Sequence, residues 1–277
     1  MREAILKDMT HKVVLVTGGS KGLGRHLAAR FAREGAKVVL WARTQADLDQ
    51  AVDELRSDGW QAWAYSVDVT NVGRVMEAAA RVKEDIGPVD VLVNNAGFVC
   101  GGPFLEVSAE EHQRTMDVNF NAYMWTMKAF MPDMVERDSG HVINISSAAG
   151  LSYAPLMASY CGSKAAVVNF TDSMRLEMKY LGKKGVKFTI VCPAFISTGM
   201  FEGVEVPWWL PWLDPEELAD KIYQGYQKGS PMVAEPLFPK LAPAFKAANP
   251  RRLLDHMLTF WGLSDAMKEW RGHEGEK

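Results

Sequence analysis

Val13-Val14-Leu15-Val16-Thr17-Gly18-Gly19-Ser20-Lys21-Gly22-Leu23-Gly24 decides how the rest of the chain is read. Its first four residues are an unbroken apolar run, the pattern of a strand covered on both faces. The glycine-rich turn that follows tolerates positive φ and lets backbone approach a ligand closely. Over 23–34 apolar residues recur at helical spacing (Leu23, Leu27, Ala28, Phe31), and Gly35 ends the helix. A strand, a glycine turn and a helix N-terminus with unpaired N–H groups together make a cradle for a pyrophosphate.

The alternation continues along the chain. Strands are expected at 38–41, 60–66, 89–93, 141–145, 188–191 and 232–234, with helices at 47–56, 72–86, 109–135, 160–181 and 214–227. Asp214, Pro215 and Glu217 read as the N-cap, first-turn proline and capping-box glutamate of the last of these. Such a βαβα succession predicts an α/β fold: a parallel sheet with helices on both faces. No linker divides it, so residues 1–236 read as one domain and 237–277 as a small C-terminal extension or cap of it.

Composition narrows the function. The chain has 277 residues, 48% hydrophobic and 23% charged, which is ordinary globular make-up. A formal charge of -3 gives no sign of a nucleic-acid partner. Cys100, Cys161 and Cys192 are too few for a disulfide framework and read as buried thiols in a reducing, cytoplasmic setting. The six histidines show no metal-ligand spacing, so no metal is expected. Glu3 and Asp8 interrupt the first ten residues, which do not read as a secretory signal, and no apolar run reaches 18 residues.

The spacing of Gly18, Gly22 and Gly24 is not the common G-x-G-x-x-G; it resembles the glycine turn of the short-chain dehydrogenase/reductase family. Four further segments add to the resemblance, in family order. They are Asn94-Asn95-Ala96-Gly97, Ser147, Tyr160-Cys161-Gly162-Ser163-Lys164 and Cys192-Pro193-Ala194-Phe195-Ile196-Ser197-Thr198, spanning about 12–198 with the glycine turn. The resemblance implies a single Rossmann-type, doubly wound sheet of about seven strands. It also implies a nicotinamide cofactor held by Thr17, Gly18, Ser20, Lys21, Gly22, Leu23 and Gly24 of the first turn. Asp68 and Val69, then Asn95, Ala96 and Gly97, then Tyr160, Lys164, Pro193, Ile196 and Thr198 complete that set. Ala194 stands where the family usually has glycine and must avoid positive φ.

The second strand selects the cofactor. An NAD enzyme carries a carboxylate there for the ribose 2′-OH. Here Trp41-Ala42-Arg43-Thr44 has none, and Arg43 can fork onto a 2′-phosphate while Lys21 adds charge nearby, so NADP(H) is expected.

Tyr160 and Lys164 share one helix face at i and i+4. An ammonium near 4 Å from a phenol, at an effective dielectric of about 20, is worth roughly 4 kcal/mol, an upper limit of about three pKa units. On that expectation Tyr160 exchanges a proton with a carbonyl or alcohol, and Ser147 hydrogen-bonds the substrate oxygen. The resemblance gives Asn119 a water linking Lys164 to solvent, so that Asn119, Ser147, Tyr160 and Lys164 form the catalytic set. Alcohol and ketone or aldehyde are then interconverted by hydride transfer.

Beyond Thr198 the sequence speaks of the substrate. Met200, Phe201, Trp208, Trp209 and Trp212 fall in the family's lid and suggest a small-molecule substrate that is apolar and fairly large, steroid-like, retinoid-like or long-chain. The extension resembles that of hydroxysteroid and retinol dehydrogenases. Phe98, Val99, Leu151, Tyr153 and Met157 are expected to line the inner pocket. The same tryptophans could instead pack on the cap or a partner subunit, or touch a membrane surface together with Lys240 and its neighbours; net negative charge and the prolines weigh against the membrane. Phe120, Tyr123, Trp125, Phe130 and Phe170 exceed what one sheet face can bury, which with the resemblance suggests a homodimer or homotetramer. Two rival functions remain: a 3-oxoacyl-thioester reductase of the same family, and a non-catalytic NADP-binding sensor or scaffold.

Overall fold

Val14 and Val16 pack into the core on one side of the central strand, while Val13 and Leu15 pack on the other. That strand, β1 (Val13–Thr17), belongs to a computed structural model that describes residues 7–270. The others are β2 (Lys37–Ala42), β3 (Ala62–Ser66), β4 (Val91–Asn94), β5 (Gly140–Ile145), β6 (Val186–Pro193) and β7 (Met232–Glu235). All pair in parallel in the order β3-β2-β1-β4-β5-β6-β7. The expected seven-stranded, doubly wound sheet is therefore present.

Helices α1 (Gly22–Arg33), α2 (Gln45–Ser57) and α7 (Pro215–Lys228) bury Leu27, Phe31, Leu48 and Ile222 against one face. Helices α3 (Val72–Asp85), α5 (Ala122–Glu136) and α6 (Ala158–Tyr180) bury Val75, Tyr123, Met134 and Val167 against the other. Asp214 caps α7 as expected, its carboxylate accepting from the N–H groups of Glu216 and Glu217.

Two expectations are corrected here. The helix expected over 109–135 is interrupted: α4 (Ala109–Met116) ends in a wide π-helical turn, Asp117–Asn121, before α5 begins. The aromatic surplus is also smaller than supposed. Tyr123 and Phe130 are buried in their own core, and Phe120 meets Phe170 edge to face at 5.6 Å.

The cap adds a short 3₁₀ turn (Phe238–Leu241) and helices α8 (Ala242–Ala248) and α9 (Arg251–Phe260). No described helix is long and apolar enough to cross a membrane.

The sheet contains one built-in sensitivity to acid. His141 on β5 is 3% exposed, its Nε2 bonded to Thr189 Oγ1 at 2.8 Å and its Nδ1 without a partner. Burial, helped by Lys7 and Lys187, holds its pKa down to about 3. The unfolded chain binds this proton below about pH 6.5 and the folded chain does not, so stability is complete above that pH and falls as pH drops toward 3. At 1.36 kcal/mol per unit the loss is about 4–5 kcal/mol. Urea unfolding of His141→Gln across this window should show a much flatter acid slope than the unaltered chain.

Candidate active site

The strand order reverses between β1 and β4, and loops at the carboxyl ends of the strands open there onto a cleft of about 600 Å³. Gly18 and Gly22 adopt φ of +62° and +53°, which explains glycine at both. Of the expected cofactor residues, Gly18, Ser20, Lys21, Gly22, Leu23, Arg43, Asp68, Val69, Asn95, Ala96, Gly97, Tyr160, Lys164, Pro193, Ile196 and Thr198 line this cleft. A Cβ on Gly22 would meet Thr198 Cβ at 3.3 Å, so the loop after β6 arches over the first turn.

Thr17 and Gly24 are not on the wall. Thr17 is 1% exposed, and its hydroxyl accepts from the N–H groups of Asn95 and Ala96, both at 3.0 Å. Asn95 Nδ2 returns a bond to each of Thr17 O and Gly18 O. Gly24 lies against Gly18 O and Asn95. These bonds and contacts hold the glycine turn in shape; Asn95 also reaches the cleft wall, whereas Thr17 and Gly24 stand behind it. Beneath them Asn94 Nδ2 donates to Asn144 Oδ1 at 2.9 Å, and Asn144 Nδ2 to Thr171 Oγ1 at 2.8 Å.

The charge around the second strand differs from expectation. Arg43 lines the cleft, but so does Asp47 in the first turn of α2, and Lys21 Nζ pairs with Asp47 at 2.8 Å. Lys21 is thus largely answered by a carboxylate that no reading of residues 41–44 alone includes. Asp68 accepts both the N–H and the hydroxyl of Thr70.

Ser147, Tyr160 and Lys164 come together from the end of β5 and the first turns of α6. Ser147 hydrogen-bonds the Tyr160 hydroxyl, and its own oxygen accepts from Ala149 N. Ser146 points elsewhere, donating to Lys164 O at 2.8 Å. Lys164 Nζ donates to Ile145 O at 2.9 Å and sits 5.8 Å from the Tyr160 ring centre. The expected acidic phenol is not what this geometry produces. Burial dominates: it raises the Tyr160 pKa well above 10, with the Ser147 bond opposing, and pushes Lys164 down to about 7. A phenol held protonated beside a hydroxyl donor is arranged to give a proton to an oxygen placed between them.

Asn119 is fully buried, on the π-helical turn. Its Oδ1 accepts from Phe98 N at 2.7 Å, and Nδ2 donates to Phe98 O and Ser163 Oγ. Both amide hydrogens are spent on protein, so the side chain staples the π-helical turn to β4's loop and to α6.

A second cavity, about 320 Å³, adjoins the cleft. Ser147, Tyr160, Ala194 and Phe201 form walls of both. Of the inner-pocket residues expected, Tyr153 and Met157 line it. Phe98 lines the cofactor cleft instead, and Val99 and Leu151 are buried in separate core clusters. The lid is pinned to the cap: Trp209 stacks edge-on to Trp261 at 6.0 Å and donates Nε1–H to Trp261 O, while Glu205 N donates to Ala266 O. Trp212 packs on Phe195 at 5.9 Å, and Trp208 is 96% exposed. Phe201 meets the Tyr160 ring edge to face at 6.2 Å.

Arg114 and Val118 were not foreseen in the cleft. Arg114 stands over the Phe98 ring at 4.3 Å. Nothing local marks it, because it arrives from α4 by tertiary packing.

The sequence matches the family model described as short chain dehydrogenase over residues 12–206. It is 42% identical over 221 residues to human epidermal retinol dehydrogenase 2, covering 79% of this chain and 72% of that protein. It is 34% identical over 248 residues to mouse estradiol 17-beta-dehydrogenase 11, covering 90% and 83%. Among solved structures, a short-chain dehydrogenase/reductase from Burkholderia phymatum in complex with NAD superposes with a TM-score of 0.79 at 26% identity, covering 86% of this chain and 93% of that one. A single-substitution variant of actinorhodin polyketide ketoreductase with NADPH gives 0.73 at 28%, covering 83% and 97%. An all-parallel sheet, a glycine-turn cleft and a Ser-Tyr-Lys cluster on its rim, joined to these matches, lead to one statement: this chain belongs to the short-chain dehydrogenase family and is an oxidoreductase of alcohols and carbonyls.

Proposed function

We propose that the chain interconverts an apolar alcohol and its ketone or aldehyde with NADP(H) as hydride carrier. The observation that carries this reading is the shared wall: Ser147 and Tyr160 face both the polar cofactor cleft and the apolar cavity. A reacting carbon at that wall is within reach of both compartments. The cleft would hold the dinucleotide along the glycine turn, whose close packing needs glycine: a Cβ at Gly18 would crowd Ala96 and Asn95, and one at Gly22 would crowd Thr198. When bound, it supplies or accepts the hydride at the substrate carbon.

In the reductive direction the Tyr160 hydroxyl gives its proton to the substrate oxygen, and Ser147 stabilises charge developing there. Lys164, buried and tied to Ile145 O, places its ammonium beneath the cleft floor, where it can hold ribose hydroxyls. Phe195, Trp209, Leu210 and Met257 exclude water from the apolar side. The cavity suits one compact apolar body, being at the lower end of the roughly 300–1,000 Å³ range for such ligands.

NADP preference rests on the absence of a carboxylate from residues 41–44 and on Arg43 lining the cleft. A charge-assisted bond of about 1.5–3 kcal/mol corresponds to roughly 10- to 150-fold in affinity. Dinucleotide consumption over a panel of apolar ketones, run with NADPH and NADH, tests the reading. Arg43→Ala should lower kcat/KM for NADPH by at least tenfold and change NADH far less. Equal use of both cofactors by the unaltered chain would remove the preference.

A further inference from the structure

Among the described residues lining the apolar cavity, Lys246 on α8 is the one that carries a formal charge. A lysine beside apolar surface ordinarily lays its stem along it and sends the ammonium into open water. This ammonium is held instead. Its Nζ donates to Leu151 O at 3.3 Å and stands 5.3 Å from the centre of the Tyr153 ring. The ring is tied down in turn, since the Tyr153 hydroxyl donates to Asp255 of α9 at 3.2 Å. Asp255 does not line the cavity. The hydrogen-bond and ring contacts of Lys246 among the described residues are these two, and neither is a carboxylate. An ammonium has three N–H donors, and Leu151 O uses one. Ser152, between the two residues that hold the ammonium, also lines the cavity, and its hydroxyl has no partner among the described residues.

The two ends of the cavity therefore differ. Ser147 and Tyr160, the latter 5% exposed, stand on the inner wall shared with the cleft. Lys246 is exposed and comes from the cap, where cavity meets solvent. Pockets for apolar ligands fix orientation with a few polar groups at set places. A proton donor at one end and an ammonium with unspent donors at the other select a ligand with an oxygen function at each end. A neutral apolar alcohol leaves the ammonium unanswered; a carboxylate answers it with a charge-assisted bond.

We infer that Lys246 anchors a carboxylate, so that the substrate is an apolar oxo- or hydroxy-acid whose acid group lies at the cavity mouth and whose carbonyl or carbinol carbon reaches Tyr160. This rests on the oxidoreductase reading and narrows its substrate class. The chemistry at Tyr160 is unchanged; the anchored acid fixes which carbon arrives there.

Three medium-chain probes test it: ω-oxodecanoate, its methyl ester and decanal. With the unaltered chain and NADPH, kcat/KM for the acid should exceed that for the ester about tenfold, mostly through KM, and salt should narrow the gap. Lys246→Met keeps the stem and should bring acid and ester to within about twofold of each other, whereas Lys246→Arg should keep the preference. A lysine that merely props the cap on Leu151 and Tyr153 would, when replaced, slow acid and ester alike and leave their ratio standing; that result would overturn the proposal. So would an ester used as well as the acid by the unaltered chain. Binding gives a readout without turnover. Trp209 and Trp261 line the cavity, so their fluorescence reports its occupancy. Decanoate should bind about tenfold tighter than decanol and lose that margin in Lys246→Met. If decanoate behaves so while no carbonyl is reduced, the anchor stands and the oxidoreductase reading falls. If decanal and the ester are reduced and neither assay favours the acid, the reading stands and the anchor falls.

Discussion

Tyr160→Phe is expected to lower turnover by about three orders of magnitude while dinucleotide affinity, read by fluorescence titration, stays within a factor of two. The substitution removes one oxygen from a ring that keeps its edge contact with Phe201, so the fold has no reason to change. What is lost is the phenol hydroxyl that stands with Ser147 on the wall common to cleft and cavity, and positioned proton transfer is worth about 10²–10⁴ in rate. The pH dependence has a definite sign. Burial holds the phenol above its ordinary pKa, so the protonated form dominates through neutral and mildly alkaline pH. Carbonyl reduction, which needs the proton, should therefore run flat across that range at saturating substrate. Alcohol oxidation, which needs the phenolate, should climb with pH throughout it. Loss of reduction between about pH 7 and 9, with oxidation constant, would contradict a pKa raised above the ordinary phenol value of about 10. Residual activity near the unaltered level in Tyr160→Phe would end the proton-transfer role altogether.

That pKa was the place where sequence reasoning went furthest astray, for a physical reason. Spacing of i and i+4 says that Tyr160 and Lys164 share a face, but not how dry that face is. Both side chains are nearly fully buried, and the cost of charging either in a water-poor site outweighs their mutual attraction at a ring-to-ammonium distance of 5.8 Å. The strands, by contrast, were readable because each apolar run is long enough to span a sheet covered on both faces, and Gly35, Gly87 and Asp214 punctuate the helices between them. The π-helical turn was hidden inside an otherwise helical pattern. Its signal was local after all: Asp117, Asn119 and Asn121 place three poor helix formers on alternate positions, and Asn121 and Gln113 both donate to Asp117. Asp47 and Arg114 were invisible as site residues because only the packing of α2 and α4 brings them to the cleft. The tryptophan lid had several readings in the sequence, and the three rings divide among them: Trp209 is clasped by the cap, Trp212 rests on Phe195, and Trp208 is left outside.

Gly24→Ala should abolish dinucleotide binding, although alanine is the better helix former. Gly24 lies inside the first turn of α1, where replacing glycine by alanine ordinarily gains about 1 kcal/mol. Here the added Cβ would overlap Gly18 O and stand 2.5 Å from Asn95 Nδ2, both fixed: the first is backbone, and the second is held by its bonds to Thr17 O and Gly18 O. The helix must then move off the strand or the glycine turn must open. Either way the N–H groups at the head of α1 lose their aim at the phosphates. Overpacking of this kind costs about 1–3 kcal/mol or more in stability, so a lowered melting temperature is expected beside a rise in dinucleotide Kd of at least a hundredfold. Gly59→Ala is the control for glycine itself: its φ of +83° makes alanine strained, yet no atom lies within 4 Å and the site is remote from the cleft. It should lower stability and leave dinucleotide affinity alone. If Gly24→Ala binds the dinucleotide as tightly as Gly59→Ala does, the close packing of turn, helix and Asn95 is not what shapes the cradle.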